Sequence, residues 1–129
     1  MLTAEQKSQL DRDGFLFFPQ LIPPAQLEAL RSRIEELFTA EGEASGSEFK
    51  QEAGARRLAN CVDKGNIFQW AIQLPEVLAA TAHILGPRFK LSSLNVRSTN
   101  PHTAADQPLH VDMNAISDDQ GFWVANTIF

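Results

Sequence analysis

The chain has 129 residues, a length suited to one small domain with a real core, and its 43% apolar and 21% charged residues match an ordinary soluble globular protein. A net charge of -5 argues against a broad nucleic-acid surface, and no run of apolar residues is long enough to span a membrane. The opening MLTAEQKSQLDRDG has no basic n-region and no apolar h-region, so it is not a secretory signal, and Cys61 is the only cysteine, so the simplest compartment is a reducing cytoplasm.

Thr3-Ala-Glu-Gln6 has the spacing of a capping box and predicts a short helix to about Arg12, closed by Gly14 as a left-handed cap. Phe15-Leu-Phe-Phe18 predicts a short buried strand ended by Pro19. Pro23-Pro24 opens a second helix, in which Leu27, Leu30, Ile34, Leu37 and Phe38 recur at helical spacing on one buried face. Glu28, Arg31, Arg33, Glu35 and Glu36 read as its solvated surface. Residues 41–55 are polar and hold Gly42, Gly46 and Gly54, which predicts a long loop or a weak helix, and loops of that length often serve as lids or binding segments. Arg56-Arg57-Leu58 and Asp63-Lys64-Gly65-Asn66 continue it, and Cys61 between them reads as a small buried hydrophobe. Pro75 starts a third helix over Glu76–Leu85, packed through Val77, Leu78, Thr81, Ala82 and Leu85 and stopped by Gly86-Pro87.

Strands are predicted over Phe89–Arg97, Pro108–Asn114 and Phe122–Phe129, with a loop over Asn100–Gln107 and a turn over Ser117–Gly121. Trp123 is assigned to core packing. Helices first and strands later argue for an α+β arrangement, or a β-structure with a helical N-terminal layer, not for alternating βαβ units. Phe122–Phe129 is an apolar strand with an unpaired edge, so the chain is expected to stop inside a larger domain.

The chemistry is concentrated in Leu109-His110-Val111-Asp112-Met113. On a strand, side chains alternate faces, so His110 and Asp112 share one side while Leu109, Val111 and Met113 share the other. An imidazole and a carboxylate two apart can hold one metal ion from adjacent corners. This is the sequence-local half of a 2-His-1-carboxylate facial triad, which suits Fe(II) and leaves three positions for a cosubstrate and O₂. The tripeptide alone is weak, and a surface histidine beside a turn aspartate is the bland alternative.

The wider pattern adds weight. Gly14-Phe-Leu-Phe-Phe-Pro19, Leu21-Ile-Pro23, the helix through Leu30-Arg31, Leu85-Gly-Pro87, Leu91-Ser-Ser-Leu-Asn-Val-Arg97, Pro101 and Gln107-Pro-Leu-His-Val-Asp112 follow one another in an order that resembles the phytanoyl-CoA dioxygenase family over nearly the whole chain. The resemblance implies a double-stranded β-helix, or jelly roll, in which residues 1–88 form a helical layer and residues 89–129 the first strands of a single partial oxygenase domain. It implies Fe(II), 2-oxoglutarate and O₂, with ascorbate in support, and a small organic substrate hydroxylated as 2-oxoglutarate is oxidatively decarboxylated. His110 and Asp112 take the metal-ligand positions. Asn95 and Arg97, two apart before the motif, fall where polar residues contact 2-oxoglutarate or the substrate, and an amide and a guanidinium are suitable donors to a carboxylate.

Asn126 lies in an otherwise apolar strand, where an amide needs a partner, either structural or the cosubstrate. The family's second metal histidine and its 2-oxoglutarate-binding arginine have no counterpart here, since neither His83 nor His102 fits by position. The 129-residue chain by itself is therefore expected to be inactive. His83 reads as structural, and His102 as a loop residue that could line the pocket. The carboxylate at Asp112 favours hydroxylation over halogenation. The alternatives are a cupin-like metal-binding jelly roll of other chemistry and a non-catalytic fragment with an incidental motif. Neither nucleic acid nor membrane is an expected partner.

Overall fold

In a computed structural model, described over residues 1–102, 108–110, 117–119 and 121–129, the chain is α+β. Among these residues four α-helices are present, α1 (Ala4–Asp13), α2 (Pro24–Glu41), α3 (Asn66–Ile72) and α4 (Pro75–Leu85), with two strands, β1 (Ala55–Leu58) and β2 (Val96–Thr99). The strands form one antiparallel two-stranded sheet, and the described residues contain no closed barrel. The chain divides into two compact units, one of residues 1–19, 72–90 and 109–129, the other of residues 20–71 and 91–108. No helix of the described residues is long and apolar enough to cross a membrane.

In the first unit, α1 begins with the capping box that its sequence encodes. The Gln6 amide donates to Thr3 Oγ1 at 3.1 Å, and the Thr3 amide donates to Gln6 Oε1 at 2.8 Å. Two orphan donors of the first turn are thereby satisfied. Gly14 closes the helix in the left-handed region at φ 76°, donating to Leu10 O at 3.0 Å. In α4, Pro75 occupies the first turn, where its missing N–H costs nothing, and Val77 is buried. Leu78, expected in the packed stripe, lies partly in solvent. His83 Nε2 of α4 and Asp11 Oδ1 of α1 are 2.7 Å apart, so His83 has the structural role its sequence context suggested.

The second unit holds the main core. Leu30, Leu37 and Phe38 of α2 pack with Leu58, Cys61, Phe68 and Ala71, and Leu94 and Val96 close the cluster from the side. Leu58 and Cys61 are completely buried. Cys61 behaves as the expected small hydrophobe, and burial pushes its thiol pKa up, away from thiolate chemistry. The sheet register sets Leu58 opposite Val96 and Arg57 opposite Arg97. Because strand side chains alternate, one face carries Leu58 to the core and the other carries the two arginines. Arg56 shares the core face. Its guanidinium lies 4.2 Å from the Phe38 ring centroid and makes two 3.0 Å hydrogen bonds to Glu35 of α2.

Several expected elements differ. Phe15–Phe18 forms no strand, and Phe15 and Phe17 are exposed while Leu16 and Phe18 are half-buried. The period of two survives, but a strand also needs a pairing neighbour, and no described residue supplies one. The strand expected over Phe89–Arg97 starts only at Val96 and runs to Thr99; before it, Leu94 O accepts from the amide of Cys61, at the start of a short 3-10 turn, at 2.8 Å.

Further on, residues 108–110 are not in a strand, and Leu109, expected in apolar packing, is fully exposed; residues 111–114 lie outside the described residues. Phe122–Phe129 is likewise no strand, and Trp123, expected in the core, is 67% exposed. The turn before it does form, with Asp118 and Gly121 exchanging backbone hydrogen bonds of 3.1 and 2.9 Å. β1 falls in the stretch read as a long loop or a weak helix, and α3 begins at its end and runs through residues for which no element was expected.

Candidate functional site

The second unit brings Asn95 and Arg97 into defined surroundings. Asn95 precedes β2, and its Oδ1 accepts from the Asn60 amide at 3.3 Å. Asn60 sits in the left-handed region at φ 52°, so this bond helps fix a turn that a non-glycine residue rarely adopts. The acceptor half of the Asn95 amide is therefore engaged, and among the described residues its Nδ2 keeps both donors.

Arg97 lies within β2. Its Nε donates to Glu52 Oε1, and its Nη1 donates to Thr99 Oγ1 at 3.1 Å. Glu52 is also held from the opposite strand, where Arg57 Nη2 donates to its Oε2 at 3.0 Å. Lys50 Nζ stands 3.5 Å from the same oxygen. Two arginines directly opposite on an antiparallel pair would repel one another, and the single carboxylate between them relieves this. The hydrogen bonds from Arg97 and Arg57 lower the Glu52 pKa from 4.5 to about 2. Arg57 Nε is buried without a hydrogen-bond partner among the described residues. Asn95 and Arg97, expected on one face, thus turn to different partners.

The loop expected as a lid or binding segment is tied down. Gln51 Nε2 donates to the carbonyls of Glu43 and Ser45 at 2.7 and 3.1 Å, and Asn60 Nδ2 donates to Glu48 Oε2 at 3.0 Å. Lys64 Nζ bridges Glu41 Oε1 at 2.7 Å and Glu48 Oε1 at 3.3 Å. Side chains that looked like a solvated surface in sequence also take part, as Arg33 Nε donates to Lys64 O at 2.8 Å.

Of the remaining candidates, His110 and Asn126 belong to the first unit, His102 to the second, and Asp112 lies outside the described residues. His110 is solvent-exposed, as is Asn126 near the end of the chain. His102 is exposed with φ 58°, directly before residues that are also outside them. No group of three potential metal-ligating side chains occurs among the described residues. Glu52 and Arg57 were not expected to matter. Their only sequence signal is a carboxylate and a guanidinium close together in a polar stretch, and the pairing that gives them meaning joins residues about forty positions apart.

Comparison with known proteins gives one family. The description of phytanoyl-CoA dioxygenase (PhyH) matches residues 10–128, nearly the full chain, and this span includes every candidate site residue named above. Neither the curated proteins nor the solved structures include a match. The order of motifs that resembled this family is thus matched as a whole, and the chain belongs to the phytanoyl-CoA dioxygenase family.

Proposed function

We propose that the protein is a non-haem Fe(II), 2-oxoglutarate-dependent dioxygenase that hydroxylates a small organic substrate. The observation that carries this reading is His110-Val-Asp112 lying inside a family match that runs through residues 10–128. The donor set fits the metal: an imidazole nitrogen and a carboxylate oxygen are the ligand types of a facial Fe(II) site. His110 is exposed, so ligation would disturb no core packing. Bound Fe(II) would supply O₂ chemistry that couples decarboxylation of 2-oxoglutarate to hydroxylation.

His110 and Asp112 hold the metal in this account. Arg97, about a third exposed, offers a guanidinium to a carboxylate of 2-oxoglutarate, and Asn95 offers the amide donors that its bond to Asn60 leaves over. Asn126 is proposed as a further contact to the cosubstrate. A carboxylate at position 112 fills a coordination site and favours hydroxylation over halogenation. A facial triad needs one more histidine. His83 is paired with Asp11 and His102 does not match the position, so neither is proposed as that ligand; the jelly roll of the family is the proposed fold. A reducing cytoplasm is the proposed compartment.

The test is succinate formation from 2-oxoglutarate by the full-length protein with Fe(II) and ascorbate. Activity is expected in the wild type and its loss in His110→Ala and in Asp112→Ala, both with unchanged thermal unfolding. Succinate formation retained in both variants would sink the proposal.

A further inference from the structure

We propose that Glu52 is a positioning residue for Arg97: it fixes the guanidinium so that the remaining donors are presented to the carboxylate of the cosubstrate. This rests on the reading of Arg97 as a 2-oxoglutarate contact. An arginine has four rotatable side-chain bonds, and fixing such a chain at the moment of binding weakens affinity. Here Arg97 is already held at two points, Nε by Glu52 Oε1 and Nη1 by Thr99 Oγ1. Nη2 is left with both of its hydrogens among the described residues. Glu52 is itself held, since Arg57 Nη2 takes its second oxygen at 3.0 Å and the Glu52 side chain is only 17% exposed.

The anchor does not cancel the attraction for an anion. Lys50, Arg57 and Arg97 give three positive charges around one carboxylate, a surplus of two. A second carboxylate approaching Arg97 therefore still meets a positive field. The low pKa of Glu52 keeps the anchor ionised throughout the physiological range. The pairing Arg57↔Arg97 brings this arrangement about through strand register alone, with Glu52 entering from the turn before β1.

The test is a double-mutant cycle read by calorimetric binding of 2-oxoglutarate to the full-length protein loaded with Mn(II), a redox-inert stand-in for Fe(II). Arg97→Ala is expected to weaken binding strongly, and Glu52→Gln, which keeps shape and removes charge, to weaken it roughly 2- to 10-fold, as for freeing one long side chain. In the Arg97→Ala background Glu52→Gln should have no further effect, because its influence passes through Arg97. In ¹⁵N spectra the Arg97 Nε–H is expected to be ordered in the wild type and mobile in Glu52→Gln, a readout independent of activity. Equal weakening by Glu52→Gln in both backgrounds, or wild-type affinity in Glu52→Gln while Arg97→Ala is impaired, would overturn the positioning role alone. Unchanged affinity in Arg97→Ala would remove the cosubstrate role of Arg97 and this inference with it.

Discussion

Single residues carry more of this structure than their sequence neighbourhood shows. Glu52 accepts from two arginines on opposite strands, and its folded-state pKa of about 2 lies below its ordinary 4.5. The ionised form is the one the fold stabilises. Its contribution is therefore full above pH 4.5 and is lost as pH falls through that value toward 2. Chemical denaturation across this window should show wild-type stability falling with acid. Glu52→Gln is expected to be less stable at neutral pH, with the gap closing at the acid end. A gap independent of pH would mean that charge is not what Glu52 contributes. At the opposite extreme of chemistry, Leu58 is completely buried at the centre of the core. Leu58→Ala removes its transfer energy and leaves a cavity, and about 2–5 kcal/mol of destabilisation is expected in the same assay. A cost below about 1 kcal/mol would show that the core collapses to fill the space.

Elements separate into those that local chemistry encodes and those that need distant partners. α1, α2 and α4 were legible because caps, prolines and apolar spacing mark them within one or two turns. β1 was not, since Ala-Arg-Arg-Leu has no β-branched residue, and it becomes a strand by pairing with β2. α3 has seven residues, too few for a periodic signal, although Ile67, Phe68 and Ala71 share a face. The strands expected over Phe89–Arg97 and Phe122–Phe129 were read from apolar content, which marks a segment as able to pair but does not supply the neighbour.

The polar stretch before β1 was read as a long loop or a weak helix, but not as a segment held in place. Gly46 is the position where that holding is tightest: φ is +80°, and a Cβ there would lie 2.8 Å from Lys50 O and 2.9 Å from Arg57 Cβ. Gly46→Ala is expected to destabilise by about 1–3 kcal/mol, as is usual for a strained backbone position. Thermal unfolding unchanged by this substitution would mean that the loop relaxes freely.

At the scale of the whole molecule, fold and function were legible to different degrees. A two-stranded sheet with four helices does not by itself identify an oxygenase. The family is identified by a succession of short motifs that runs along nearly the whole chain. The proposed metal ligands rest on sequence alone, on the spacing of two in His110-Val-Asp112. The setting of Arg97 was not legible there, because it depends on strand register. The central claim is that this histidine and this aspartate hold iron, and anaerobic titration of the full-length protein with Fe(II) tests it most directly. One Fe(II) per chain is expected in the wild type. Loss of a ligand in His110→Ala or Asp112→Ala should weaken binding beyond the roughly 10- to 100-fold typical of an outer-shell partner. Undiminished Fe(II) affinity in both variants would contradict the account.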